Sequence, residues 1–467
     1  MAYLYRFRSA EHLLDKYQEL EKQEIYLAPP DELNDPMEGY KDVYWLGDPV
    51  LWRNFLRHYV FCLAEAIGYT RIGLVDTDDL PFIPVQLGRN TLPDGYAADI
   101  ETATTAFLRS EPAVSFVETL SELQIPLRRE GVVYFLAQIH LCALRVVLAT
   151  LEARGYLRPG TDLNIPDDID RAVVKVFKTM RDNASTITPE FKEHFPDAAG
   201  RALEQTQLEV LFNARAEGFP RRRAFFVFEF PKYYVDTALR DMIHPPWFTA
   251  CFAGTCTDAS MWGTYGNAHT GAALMLDVGA LESAEIELET PIGVGPKIIR
   301  GKTQHRFQRA DYTNKAPELD FFKFLGQLPE AQIQSEWLLD ENGEKSERLS
   351  AIFTNNLDGW REELSRITNV GATTKLRDWK HEDEYRIVWS TNIKTEKIDR
   401  KMRYEFSALA GIVFGMSMSV DDKISIMEII ETKCKAAKRT DFKFLEAFYN
   451  RRSGQMDVLP VILSPRR

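Results

Sequence analysis

At 467 residues, with 45% hydrophobic and 27% charged side chains, the chain has the composition of a folded globular protein and the length for two domains or one domain with a large insertion. Its 57 basic and 69 acidic residues give a net charge of -12, which repels polyanions at long range and argues against generic nucleic-acid coating. Five scattered cysteines exclude a disulfide framework, and Cys251 and Cys256 match no zinc spacing, so no structural metal is expected.

In chain order, the first forty residues read as a strand over Tyr3–Phe7, a helix over Ala10–Lys22 capped by Ser9, a second strand over Glu24–Ala28 and a rigid turn over Pro29–Pro36. Met1–Arg6 lacks the basic and apolar stretches of a secretion signal, so a cytoplasmic location is expected. From Leu51 to Arg240 apolar residues recur at helical spacing, notably in Trp52–Leu63, Ile100–Leu108, Val114–Leu123, Val132–Leu151 and Ile169–Met180, with links at Pro81–Gly95 and Leu157–Pro166. The Gly131–Leu151 stretch is long enough to cross a bilayer, but Gln138, His140 and Arg145 are costly in hydrocarbon, so a buried helix and no membrane contact are expected. The triplet Arg221–Arg223 reads as a solvated basic face.

Strand patterns follow at Ala224–Phe230, Phe248–Phe252, Ala272–Val278, Ile298–Arg300, Tyr385–Trp389 and Leu409–Phe414. Helices are expected near Glu318–Leu325, Glu347–Trp360 and Val420–Lys435. The predicted class is α+β: a mixed or split β-sheet core from residues 1–50 and 241–467, interrupted by a helical insertion over 51–240. No dinucleotide glycine fingerprint, phosphate-binding loop or nucleophile elbow is present.

Three segments carry residue types suited to chemistry. On an extended backbone Glu382, Glu384 and Arg386 share one face; repulsion between the carboxylates raises one and the guanidinium lowers them, which suits one glutamate to act as a base or stabilise a cation, though a plain strand-edge ion pair uses the same residues. The loop Ser260–Gly271 offers the flat rings of Trp262 and Tyr265, the titratable His269, and glycines such as Gly271 that let a ligand approach; Trp262 and His269 also fit structural roles. Tyr5 and Arg6 on the first strand face the turn bearing Asn34 and Asp35, and an arginine on an apolar strand needs an anion, either internal or from a ligand phosphate.

Together, Leu4–Ser9, Ile25–Pro29 with Asn34-Asp35-Pro36, Cys251-Phe252 with Met261-Trp262, Tyr265 and His269-x-Gly271, and Trp379 with Glu382-x-Glu384-Tyr385-Arg386 resemble the bacterial domain of unknown function 2971 family. The polar residue on strand one, the aromatic second strand and the Glu-x-Glu opening a late strand are also similar to ADP-ribosyltransferases, which bind NAD in a split sheet. That resemblance implies Arg6 at the pyrophosphate, Tyr26 or Tyr265 on the nicotinamide, and Glu384 at the ribosyl cation with Glu382 orienting the acceptor. The leading expectation is therefore an NAD-consuming transferase with catalytic Glu384, Glu382 and His269. Tyr5, Arg6, Tyr26, Asn34, Asp35, Trp262, Tyr265, Gly271 and Arg386 would hold the nucleotide-like ligand. Its expected setting is a toxin-like effector in bacterial stress or phage defence. Two alternatives use the same segments: a non-catalytic nucleotide or peptide sensor whose helical insertion docks a protein partner, and a phosphoesterase holding Mg²⁺ on Asp35, Glu38, Glu382 and Glu384.

Overall fold

A computed structural model describes residues 2–35, 38–71, 92–158, 165–166, 168–186, 188–239, 242, 246–295, 297–325, 328–391 and 395–462. Pro36 and most of the links expected at 81–95 and 157–166 lie outside those residues. The chain forms two compact units, one from residues 1–40, 245–317 and 368–467, the other from 41–244 and 318–367.

The first unit is built on an eleven-stranded mixed sheet, as expected for an α+β chain. In chain order its strands are β1 (Ala2–Arg8), β2 (Glu24–Tyr26), β3 (Trp247–Ala253), β4 (Ala272–Gly279), β5 (Glu285–Val294), β6 (Ile298–Arg309), β7 (Glu384–Ser390), β8 (Lys401–Tyr404), β9 (Leu409–Phe414), β10 (Lys443–Asn450) and β11 (Gln455–Pro460). Across the sheet they run β11-β10-β9-β4-β1-β3-β7-β6-β5-β8-β2. Alternation sends Leu4, Leu274, Leu276, Phe252 and Ile387 into one core, beneath Leu13, Leu20, Ile426 and Ile430. The opposite face packs Phe7, Ala273 and Val413 on Trp262.

The sheet is split near its middle. β1 pairs along its whole length with β4, and β3 pairs along its length with β7, yet β1 and β3 share the single register pair Tyr5↔Ala253. Beyond it Arg6–Arg8 run free of β3, whose Thr249 instead bridges Ala28. A right-twisted sheet this wide accumulates strain unless it divides.

Gln18, at a left-handed φ of 54°, breaks the helix expected over Ala10–Lys22 into Ala10–Leu14 and Glu19–Lys22.

The second unit is helical. Its principal helices are α1 (Pro49–Arg71), α2 (Asp94–Leu108), α3 (Glu111–Leu123), α4 (Arg129–Ala153), α5 (Ile169–Asp182) and α6 (Pro189–Ala216). Residues 318–367, expected in the sheet domain, belong here because Phe321, Phe322 and Trp337 are buried in the same aromatic cluster as Trp52 and Phe55. The strand expected at Ala224–Phe230 is a helical turn with a π segment at Phe225–Glu229. Its aromatic run is enclosed in the helical core rather than lying on a pleated surface. By length and composition α4 alone among the described helices could cross a membrane. Within the unit its His140 is buried, with Nδ1 2.7 Å from the Tyr59 hydroxyl and Nε2 2.6 Å from the Phe226 carbonyl.

Candidate functional site

The split in the sheet opens into a cavity of about 230 Å³, lined by residues of β1 and β3 and by Tyr26, Asn34, Tyr265, Glu382 and Glu384. Three distant stretches meet at one hydroxyl: Tyr265 donates to Glu382 Oε1 at 2.8 Å and accepts from Asn34 Nδ2 at 3.1 Å. The short helix Ala259–Thr264, capped by Asp258, places Tyr265 there.

Arg6 dominates one side. It is 5% exposed, on the apolar face of β1. Nη2 donates to the Tyr26 carbonyl at 3.1 Å and the guanidinium lies 5.5 Å from the Phe252 ring centre. Nε is buried with no partner, and among the described residues no carboxylate pairs with it. Glu19, the nearest acidic influence, is held by Arg8 at 2.8 and 2.9 Å. Burial, reinforced by Arg8, pulls Arg6 down to about 9. Thr249 Oγ1, also lining the cavity, is likewise buried without a partner. Buried polar atoms without partners are rare in folded proteins, and two in one cavity fit an anionic, hydrogen-bonding ligand.

The other side is a charge cluster of Glu38, Glu382, Glu384, Lys375 and Arg386. Lys375 Nζ contacts Glu382 at 2.5 Å and also Glu384, while Arg386 Nε donates to Glu384 at 2.7 Å and Nη2 to Glu38 at 2.7 Å. The pattern separates the two carboxylates seen in sequence. Burial raises Glu382 because the Lys375 ammonium only partly offsets it. At Glu384 burial is overcome by Arg386 and then Lys375, holding it at about 2. Its two cations thus hold Glu384 ionised, while burial makes Glu382 the more readily protonated of the pair.

Local geometry differs from the extended run expected. Residues 377–382 form a 3-10 turn and Asp383 has a left-handed φ of 40°, so Glu382 precedes the strand that Glu384 opens. Both still reach Lys375.

Of the expected site residues, Tyr5, Arg6, Tyr26, Asn34, Glu38, Tyr265, Glu382 and Glu384 line the cavity and the others do not. Trp262 is fully buried, its indole donating to the Cys256 carbonyl at 2.8 Å. Gly271 is required by protein rather than ligand, since a Cβ there would lie 2.2 Å from the Arg8 carbonyl. His269 sits in a left-handed turn with Asn267 and Ala268, away from the cavity lining. Asp35 accepts from the Leu376 amide at 2.8 Å, and Arg386 is 0% exposed behind the carboxylates. The ring of Tyr26, expected to be free for stacking, has Lys397 and Arg400 at 5.4 Å. Lys375 was not anticipated: an isolated lysine nine residues before Glu384 has no spacing signal. Thr249 was missed because a lone threonine in an apolar strand reads as packing.

No protein-family model, curated protein or solved structure matches this chain.

Proposed function

We propose that the chain is a cytoplasmic NAD-consuming transferase of ADP-ribosyltransferase type, belonging with the domain of unknown function 2971 proteins and serving as an effector in bacterial stress or phage defence. The observation that carries the reading is a buried, uncompensated Arg6 in the same sheet-splitting cavity as a fixed anion, Glu384, and a proton-exchanging neighbour, Glu382. Arg6 and Thr249 Oγ1 would take the pyrophosphate, as a guanidinium suits phosphate oxygens. As the bond from ribose to nicotinamide breaks, its electron pair leaves with the neutral ring. Glu384, ionised throughout, stabilises the positive charge developing on the ribosyl carbon. The acceptor's oxygen or nitrogen then bonds that carbon and its proton passes to Glu382.

The phosphoesterase reading is weaker here, because Asp35 is engaged by a backbone amide and the Lys375 ammonium already sits among the glutamates. A specific observation favours the sensor reading: Glu384 is only 3% exposed and gripped by two cations, an arrangement that also suits ligand-gated signalling through a protein partner on the helical unit.

Glu384→Gln separates the two. Purified protein with NAD and cell lysate should release nicotinamide and transfer label, and the variant should lose at least about a hundredfold in turnover while still binding NAD. Absence of nicotinamide release from the unaltered protein, with NAD bound, leaves the sensor.

A further inference from the structure

The hairpin of β5 and β6 ends in an apolar tip. Beyond Glu289, where β5 leaves β8, the two strands pair only with each other through Thr290–Gly301 among the described residues. Ile292, Val294 and Ile299 are each more than half exposed, and none of them takes part in an apolar core. Single exposed aliphatic residues are ordinary, whereas a cluster on one tip marks a contact surface. Arg300 fixes the base. Pro291 has no N–H to offer β8, and Arg300, its partner across the hairpin, instead donates Nη1 to the Lys401 carbonyl at 3.0 Å and Nη2 to the Asp399 carbonyl at 2.9 Å. That holds the turn before β8, with its exposed Ile398, beside the tip. Both faces of the ribbon are apolar. A Cβ at Gly301 would meet Ile292 and one at Gly295 would meet Ile299, while Val294 pairs with Ile298. Period two sets Ile298 opposite Ile299 and Gly301, so Ile292 and Ile299 share one face and Val294 and Ile298 the other. In a chain of net charge -12, residues 290–301 contain no acid and two cations, Lys297 and Arg300. Lys297 is exposed and pairs with no carboxylate among the described residues, and Arg300 is bound to carbonyls alone.

We infer that this tip is a wedge that enters the headgroup and upper acyl region of an anionic lipid surface. A flat protein surface covers one face of a two-stranded ribbon, whereas a fluid bilayer covers both, and both are apolar here. Lys297 and Arg300 then meet lipid phosphates while the acidic remainder of the chain stays in water. The inference is independent of the nucleotide reading. It departs from the expectation of no membrane contact, which rested on the apolar stretch of α4 alone.

Vesicle sedimentation of the full chain tests this, with phosphatidylcholine vesicles containing about one-third phosphatidylglycerol and with phosphatidylcholine alone. The anionic vesicles should bind about tenfold more tightly than the neutral ones, and salt at about 0.5 M should erase that difference. Ile292→Ser combined with Ile299→Ser should weaken binding by at least about tenfold, and Lys297→Gln by about fivefold. Val294→Ser, on the opposite face, should weaken it by about fivefold as well. Should the double variant fail to fold, Val294→Ser and Lys297→Gln decide the point. Absence of sedimentation with either vesicle, binding that the variants leave untouched, or a loss confined to one face overturns the inference. So does light scattering that finds the unaltered chain dimeric and the double variant monomeric, since a second copy then covers the tip.

Discussion

Arg6→Met should make the ligand-free protein more stable and abolish its response to pyrophosphate. Burial that no paired carboxylate offsets pulls Arg6 well below the ordinary arginine value, to about 9. At 1.36 kcal/mol per pH unit that is a cost on the order of 5 kcal/mol near neutrality. The sign follows from burial disfavouring the charged form in the folded chain only, so the unfolded chain holds this proton more tightly. The penalty is therefore complete at every pH below about 9 and fades only above it. Methionine keeps the length and apolar contact with Phe252 but gives up the bond to the Tyr26 carbonyl and the ring–cation contact, each worth about 1 kcal/mol. A net gain of about 2–3 kcal/mol should raise the melting temperature by roughly 5–10 °C. Scanning calorimetry with and without pyrophosphate is the assay. The anion should raise the melting point of the unaltered protein and leave the variant unmoved. If Arg6→Met instead lowers stability by several kcal/mol, Arg6 is a structural anchor and the anion site is wrong.

Tyr265→Phe removes a hydrogen bond that lowers Glu382, so the acidic limb of the activity profile should move to higher pH; an unmoved profile would detach Glu382 from proton transfer. Burial holds His58 and His140 at about 4, against an ordinary 6.5. As pH falls from 6.5 towards 4 the unfolded chain takes protons that the folded helical unit refuses, so up to about 3 kcal/mol per histidine should be lost. Urea titrations at intervals across that window check this, and a flat stability curve there refutes it. Asn54→Leu strips the amide that donates to the Trp337 and Leu339 carbonyls at 2.9 and 3.0 Å, and should destabilise the helical unit by about 2–4 kcal/mol in urea unfolding.

Much of the first unit was legible in its residues because its signals are local. The short apolar runs Tyr3–Phe7, Ala272–Val278 and Leu409–Phe414 mark strands that are observed almost to the residue. The hairpin of β5 and β6 was largely missed: from Lys302 to Arg306 β6 has no apolar residue, and the alternation in β5 is confined to the short stretch Glu285–Glu289. Helix α6 escaped for a related reason: from Arg201 to Ala216 most of its side chains are exposed, so no apolar stripe announces it. The reverse error at Ala224–Phe230 comes from a nearly unbroken aromatic and β-branched run, which hides the period that separates helix from strand.

For the site, residue types identified Arg6, Tyr265, Glu382 and Glu384, and the cavity contains all four. What the types could not give was who neutralises whom. Arg386 might have served the ligand, but the fold spends it on Glu38 and Glu384. The decisive cation, Lys375, carries no motif, and its partnership with Glu382 depends on the left-handed Asp383 that reverses the chain between the two glutamates.

The grouping of three carboxylates with two cations around Lys375 bears on how any titration of this protein is to be understood. Protons leaving so tight an ensemble do so collectively, and a measured midpoint belongs to the whole set instead of one glutamate. Neutralising one member redistributes charge over the other four, so matched pairs such as Lys375→Met with Glu382→Gln reveal more than either change alone.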